Sequence, residues 1–250
     1  MPNDYFKIET GGATDTGCVR DHNEDSFVVR PDQGIWVVAD GMGGHDAGDY
    51  ASQTITGEMA SVGFSISTTD LQARFMERLG RAHHQIRAHA ESLGGGTVGA
   101  TLVGLLIFEA EFSCIWSGDS RIYRMRDGLL EQLTNDHTEV RELLEAGMIT
   151  PEEAETWPRK NVITRAIGVS EDPNCDMVTG NVRAGDVFLL CSDGLTEHNS
   201  DADLQALLHA ATTPQEACDM LIAQTLERGA KDNTTAVVVT VAPSDVDIWT

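Results

Sequence analysis

Positive charge is scarce in this sequence: 17 Lys and Arg residues stand against 40 Asp and Glu residues, a net charge of −23 at pH 7. Binding to nucleic acid or to an anionic membrane surface relies on Lys and Arg that neutralise phosphate groups. The charge balance therefore argues against both, and we expect no nucleic acid and no membrane partner. Most of the acidic residues are expected to be solvated and to keep the protein soluble.

Long apolar segments and disulfide patterns are missing as well. The longest apolar run, residues 98–108, contains two glycines and is too short to span a bilayer, and the N-terminus lacks the basic and apolar regions of a signal peptide. The cysteines are odd in number and form no Cys-x-x-Cys pair, which predicts reduced thiols in a cytoplasmic protein. They are Cys18, Cys114, Cys175, Cys191 and Cys218.

Two common phosphate-handling motifs are also absent. A cysteine phosphatase needs Cys-x5-Arg, but Arg121 lies one residue too far from Cys114, and no other cysteine fits. No GxxxxGK[ST] phosphate loop occurs. The glycine-rich segment 94–99 precedes a predicted strand instead of following one, so it does not predict a dinucleotide site.

The 250 residues contain no Pro/Gly/Ser-rich linker, no compositional break and no repeat, which predicts one domain over residues 1–250. The order of strands and helices lacks a regular βαβ alternation and favours an α+β fold of antiparallel sheets with helices packed outside them. Strands are predicted at 26–30, 34–39, 97–108, 111–117, 121–126, 129–133, 187–191 and 234–241. Helices are predicted at 46–62, from Asp70 to about residue 93, at 138–146, from Thr150, and twice after residue 194, the second with a capping box at Thr213.

Five acidic segments are spread over more than two hundred residues, and most follow or end an apolar run. They are Asn23-Glu24-Asp25, Asp40-Gly41-Met42-Gly43-Gly44-His45, Gly118-Asp119-Ser120-Arg121, Ser192-Asp193-Gly194 and Asp232-Asn233. Carboxylates gathered at the ends of buried strands raise one another's pKa unless a cation neutralises them. The pattern therefore predicts a pair of hard divalent ions held by oxygen ligands.

A two-metal site needs a carboxylate that can bridge both ions, and Asp40 is the candidate. The Asp40-Gly41 turn leaves the Gly41 carbonyl free as a further ligand, while Asp193 and Asp232 each end or follow an apolar strand segment and complete the shell. An all-oxygen site suits Mn²⁺ or Mg²⁺, which activate a shared water as a hydroxide nucleophile. Arg20 is the candidate for binding the phosphoryl oxygens, because a guanidinium forms two parallel hydrogen bonds with phosphate.

Taken together, the motifs resemble the PP2C (PPM) family of metal-dependent serine/threonine phosphatases in its bacterial single-domain form. They appear in the family's order and cover about residues 8–241. The matching segments are Thr14-Asp15-x-Gly17-x-x-Arg20-x-x-Asn23-Glu24-Asp25, Val38-Ala39-Asp40-Gly41-Met42-Gly43-Gly44-His45, Gly118-Asp119-Ser120-Arg121-x-Tyr123, Leu133-Thr134-x-Asp136-His137-Thr138, Leu190-x-Ser192-Asp193-Gly194-Leu195 and Asp232-Asn233-Thr234-Thr235.

The resemblance implies two packed antiparallel sheets flanked by helical layers, with the metal cluster at one end and a mobile flap at about residues 146–167. It also implies roles for single residues. Asp40 would bridge two ions, with Asp193 and Asp232 on the first ion and the Gly41 carbonyl on the second. Asp119 with Asp193 would hold a third ion, and Glu24 and Asp25 would bind metal-coordinated water or the second ion. Arg20 would hold the substrate phosphate.

The sequence departs from the family pattern in two places. Many members have Gly-Thr-Thr where this chain has Gly99-Ala100-Thr101, so one hydroxyl is missing. Eukaryotic relatives have a His directly after the Asp-Gly pair, where this chain has Met42. The proton donor to the leaving oxygen is then either His45 or a metal-bound water.

The sequence thus predicts a cytoplasmic enzyme that hydrolyses phosphoserine and phosphothreonine in proteins through a metal-bridging hydroxide, with two or three Mn²⁺ or Mg²⁺ ions. Its expected partners are a phosphorylated protein and the cognate protein kinase. Two alternatives stay open: a catalytically silent scaffold that binds phosphoproteins, and a two-metal hydrolase of small phosphate esters.

Overall fold

The computed structural model of the chain describes residues 6–43 and 47–244. In these residues the chain forms eleven strands and seven helices. The strands are β1 (Phe6–Asp15), β2 (Asp25–Arg30), β3 (Ile35–Met42), β4 (Gly99–Ala100), β5 (Leu102–Phe108), β6 (Glu111–Ser117), β7 (Arg121–Arg126), β8 (Leu129–Gln132), β9 (Asp176–Asn181), β10 (Val187–Cys191) and β11 (Thr234–Pro243). The helices are α1 (Ala47–Ala60), α2 (Thr68–Ser92), α3 (Glu139–Glu145), α4 (Pro151–Glu155), α5 (Asp193–Thr196), α6 (Asp201–Ala210) and α7 (Pro214–Glu227).

The strands form two antiparallel sheets. The first has the order β1-β11-β10-β7-β8, and the second has the order β2-β3-β5-β6-β9 with β4 paired to β3. The inner faces pack together through a buried cluster that includes Trp36, Val103, Phe188 and Val237. This arrangement buries β3, β5, β10 and β11 on both faces, which explains their almost wholly apolar sequences.

The helices cover the outer faces of the two sheets. Helices α1 and α2 bury Ile55, Phe75 and Leu79 against the second sheet, whereas α6 and α7 bury Leu204 and Leu221 against the first. The order of layers is helix, sheet, sheet, helix, which confirms the predicted α+β sandwich. No helix in the described part of the chain is long and apolar enough to cross a membrane.

Several element boundaries differ from the prediction. The cap of α2 is Ser67, not Asp70: the Ser67 hydroxyl accepts from the Asp70 N–H at 3.1 Å, and the Asp70 carboxylate accepts from the Ile66 N–H at 3.1 Å. The predicted strand at 97–108 is divided at Thr101 into β4 and β5.

The predicted capping box of α7 is half present. The Thr213 hydroxyl accepts from the Glu216 N–H at 3.1 Å, but the Glu216 carboxylate accepts from the N–H and the hydroxyl of Thr212 instead of from Thr213. Strands β1 and β9 are not predicted from the sequence, because each lies at a sheet edge with a mixed polar pattern.

Candidate active site and metal centre

The predicted carboxylates come from the ends of different strands. Asp25 opens β2 and lies directly opposite Asp40 of β3 in the antiparallel register. Asp119 lies in the turn between β6 and β7, and Asp193 is the first residue of α5, just after β10. Asp232 precedes β11 by two residues, so the expectation that it ends or follows an apolar strand is wrong. It reaches the same region because β11 runs antiparallel to β10.

The pKa of Asp40 responds to the charges of the other predicted aspartates. Burial raises the pKa of Asp40 well above its usual range, and the charges of Asp25, Asp193, Asp119 and Asp232 raise it further. Carboxylates from five segments of the chain therefore share one electrostatic environment. A divalent cation would stabilise their ionised forms.

Three of the neighbours also have raised pKa values, each chiefly because of burial. The pKa of Asp25 rises to about 6, against the opposing effect of hydrogen bonds from Thr235 and Ser192. The pKa of Asp119 rises to about 7, with Asp136 adding to the effect of burial. The pKa of Asp193 rises through burial and through the charge of Asp119.

Two buried carboxylate oxygens test whether this region suits a metal ion. Asp25 Oδ2 accepts from the hydroxyls of Ser192 and Thr235, both at 2.7 Å. Asp25 Oδ1 and Asp193 Oδ1 are buried and have no hydrogen-bond partner in the described structure. Since a buried acceptor without a donor is costly, oxygens of this kind fit a hard cation such as Mn²⁺ or Mg²⁺.

Arg20 pairs with one of the predicted metal ligands. Among residues 6–43 and 47–244, no three carboxylate, thiol or imidazole groups stand together in a metal-binding arrangement. Arg20 Nη2 lies 2.7 Å from Asp232 Oδ2, so the predicted phosphate-binding group and a predicted metal ligand neutralise each other. The structure therefore brings Arg20 to the carboxylates, as predicted, but pairs it with one of them.

Glu24 and Gly41 lie beside this pair. The pKa of Glu24 is raised by burial, while the charge of Arg20 acts in the opposite direction. The Gly41 N–H donates to the Glu24 carbonyl at 3.1 Å. A Cβ at Gly41 would overlap the carbonyl of Gly48 in α1, so only glycine lets β3 and α1 approach so closely.

Some positioning residues are absent from the set predicted from sequence. Asn233 Oδ1 accepts from the Glu24 N–H at 2.8 Å, and Asn233 Nδ2 donates to the carbonyls of Thr16 and His22, both at 2.9 Å. These three bonds hold the segment that carries Arg20 and Glu24 against the start of β11. The sequence signal was the Asn that follows Asp232, a pair that is also common in ordinary turns.

The backbone of Asp40 is held by Thr101, the residue at which β4 and β5 divide. The Thr101 hydroxyl accepts from the Asp40 N–H at 3.2 Å and lies 2.7 Å from the hydroxyl of Ser120. The Thr101 N–H donates to the Asp40 carbonyl at 2.8 Å. Thr101 is the hydroxyl residue that remains after the Gly99-Ala100 departure, and it links Asp40 to the segment that carries Asp119. His45, one of the two candidate proton donors, lies outside the described residues.

The sequence matches the family model for protein phosphatase 2C over residues 19–236. This match covers most of the chain. The chain belongs to the protein phosphatase 2C family. The family predicted from the motifs is thereby confirmed.

Two curated relatives support the membership. The chain is 36% identical over 237 residues to the serine/threonine phosphatase stp of Listeria innocua, an alignment that covers 90% of this chain and 93% of that protein. It is 38% identical over 238 residues to the serine/threonine protein phosphatase PstP of Mycobacterium tuberculosis, covering 93% of this chain and 45% of that protein. Both names confirm the predicted enzyme class.

A solved structure agrees with the fold. The catalytic domain of PstP in complex with two manganese ions superposes with a TM-score of 0.83 at 35% identity, covering 95% of this chain and 99% of that one. The predicted protein phosphatase 2C fold is therefore confirmed. That relative binds two manganese ions, in agreement with the oxygen-rich residue set gathered here.

Proposed function

We propose that this chain hydrolyses phosphoserine and phosphothreonine in proteins with the help of two or three Mn²⁺ or Mg²⁺ ions. The observation that supports this most strongly is the raised pKa of Asp40, to which four other aspartates contribute. The two partnerless oxygens of Asp25 and Asp193 add to it. A group of buried carboxylates with few cations or hydrogen-bond donors to stabilise their charge is typical of a metal centre.

The ions would be held by residues of this chain. Asp40 would bridge two of them, with Asp193 and Asp232 on the first and the Gly41 carbonyl on the second. Asp119 with Asp193 would hold a third, and Glu24 and Asp25 would complete the surroundings. When bound, such a pair of divalent ions supplies Lewis acidity, which lowers the pKa of a water and withdraws charge from the phosphoryl oxygens.

Arg20 would bind and orient the phosphoryl group. In this structure its guanidinium is half exposed and donates to Asp232, so it already faces the region where the substrate must lie. An ion held by Asp232 would compete with Arg20 for that carboxylate and would leave the guanidinium available to the phosphoryl oxygens. There it would offset the negative charge that develops as the bond to the serine or threonine oxygen breaks.

The catalytic unit would span the whole chain, with residues 146–167 as a flap beside the cleft. We place the enzyme in the cytoplasm because its five cysteines are odd in number, widely spaced and free. Since its substrates carry phosphoserine or phosphothreonine, a protein kinase must produce them, and that kinase is the proposed partner.

The test is hydrolysis of a phosphothreonine peptide by the purified protein with Mn²⁺, with Mg²⁺ and with excess chelator. Asp193→Ala should abolish phosphate release, whereas Asp219→Ala, which removes an exposed carboxylate on α7, should not. Wild-type protein that binds the ions and the peptide but releases no phosphate would indicate a phosphoprotein-binding scaffold. Hydrolysis of small phosphate esters but not of the peptide would indicate a two-metal hydrolase of small phosphate esters.

A further inference from the structure

A cavity of about 730 Å³ adjoins the carboxylate cluster. Asp119 and Asp193 contribute to its lining, together with side chains from the segment 138–161 and from the residues just after α5. Lys160 and Lys231 also line it, and these are two of only three lysines in the chain. A concentration of lysines beside the candidate active site is unexpected in a protein of net charge −23.

The two arginines that line this cavity are each paired with a carboxylate. Arg121 binds the carboxylate of Asp136, with the closest contact at 2.6 Å. Arg141 Nε donates to Glu145 at 3.2 Å. By contrast, the ammonium groups of Lys160 and Lys231 form no ion pair with any described residue, and both lysines are exposed.

Two neighbouring residues at the end of α5 hold both lysine-bearing segments in place. Glu197 Oε1 accepts from Asn161 Nδ2 at 2.6 Å, which fixes the residue next to Lys160. His198 Nε2 accepts from the N–H of Lys231 at 3.2 Å. Both contacts come from the two residues that directly follow α5, the short helix whose first residue is the candidate metal ligand Asp193.

We propose that Lys160 and Lys231 form a subsite for a second anionic side chain of the substrate, in addition to the phosphorylated residue under attack. The proposal rests on the phosphatase function proposed above and narrows its substrates to proteins with an acidic or second phosphorylated residue nearby. Both lysines line the same cavity as Asp119 and Asp193, so an anionic side chain close to the phosphorylated residue can reach them.

The experiment compares kcat/KM for three phosphothreonine peptides that differ at one position close to the phosphothreonine. That position holds Ala, Glu or phosphoserine. Each peptide is tested with wild-type protein, with Lys160→Gln/Lys231→Gln and with Lys7→Gln, all loaded with Mn²⁺. Lys7→Gln is the matched control, since it removes the third lysine, which pairs with Glu9 on β1 away from the cavity.

We expect wild-type protein to prefer the anionic peptides by about 3- to 10-fold, the range expected for two exposed ion pairs. The preference should weaken at high ionic strength, fall to about one in the double variant and persist in Lys7→Gln. A preference for phosphoserine alone would identify the ligand as a second phosphate, and an equal preference for Glu would identify it as any anionic side chain. The subsite is overturned if wild-type protein has the same kcat/KM for the anionic and the Ala peptides, or if the double variant keeps the wild-type preference.

A second measurement separates this proposal from the catalytic one. The Kd values of the same peptides are measured by fluorescence anisotropy in excess chelator, where no turnover is expected. If the Mn²⁺-loaded enzyme hydrolyses none of the peptides, the proposed function is overturned, but the binding preference is still measurable in chelator. Normal hydrolysis with equal Kd values for the three peptides would overturn the subsite alone.

Discussion

Gly118 and His137 are joined by two hydrogen bonds that run in opposite directions. The His137 N–H donates to the Gly118 carbonyl at 2.9 Å, and the Gly118 N–H donates to His137 Nδ1 at 3.2 Å. Since Nδ1 accepts, the ring proton is on Nε2, which lies 3.1 Å from Asp176 Oδ2. The buried ring thus ties the turn that carries Asp119 to the edge strand β9.

His137→Ala should loosen the turn next to Asp119. The buried Gly118 N–H would lose its acceptor, which costs about 1–3 kcal/mol of the free energy of unfolding. We also expect half-maximal phosphatase activity to require more Mn²⁺, because Asp119 would be less well positioned. His137→Asn keeps an acceptor at the same reach and should recover much of both losses. Denaturant unfolding and Mn²⁺ titration of the rate measure this, and equal behaviour of the Asn and Ala variants would contradict it.

Arg20→Ala should separate substrate binding from metal binding. Loss of a charged hydrogen bond to the phosphoryl group lowers kcat/KM by about 10- to 100-fold. The variant also removes the guanidinium that lies 2.7 Å from Asp232 and competes with a metal ion for this carboxylate. The Mn²⁺ requirement should therefore fall or stay constant. Arg20→Lys, which keeps the charge but not the two-pronged geometry, should lie between wild type and Ala. An unchanged KM with a higher Mn²⁺ requirement would show that Arg20 only supports Asp232.

Gly194→Ala should destabilise the protein. A Cβ at this position would overlap the carbonyl oxygen of Asn233, a backbone atom that cannot move without shifting Asp232. We expect a loss of about 1–3 kcal/mol in the free energy of unfolding and a weaker response to Mn²⁺. Gly80→Ala is the control, because nothing lies within 4 Å of its added Cβ on α2. It should stabilise the helix by about 0.5–1 kcal/mol, and similar unfolding midpoints for the two variants would refute the argument.

His83 should make the stability depend on pH. It is buried on α2, where Nδ1 accepts from the Gly168 N–H at 3.1 Å and Nε2 lies 3.2 Å from the Glu171 carbonyl. Burial lowers its pKa below the usual 6.5. As the pH falls below about 6.5, the unfolded chain therefore takes up a proton before the folded one does, and the folded state loses stability.

The measurement is the difference in free energy of unfolding between wild type and His83→Gln from pH 7 to pH 5. We expect the advantage of wild type to shrink as the pH falls, because the variant has no imidazole to protonate. A difference that stays constant over this range would show that His83 does not titrate differently in the two states.

The buried strands could be predicted from sequence with little information beyond their composition. Strands β3, β10 and β11 are apolar runs that are covered on both faces, so their apolar composition is enough to predict that they are buried. Strand β1 could not be found in this way. It is an edge strand with polar residues, and what defines it is its ladder to β11, more than two hundred residues away.

The sequence by itself determined the chemistry of this protein: several acidic residues beside apolar runs, in an order that matches one enzyme family. These are local signals, because ligand type and strand character depend on single residues and their neighbours. Only the tertiary structure decided that Arg20 pairs with Asp232, that Asn233 holds the segment before β2, and that Lys160 and Lys231 line one cavity. These contacts join residues far apart in the chain, so they depend on how the sheets and helices pack and not on any local pattern.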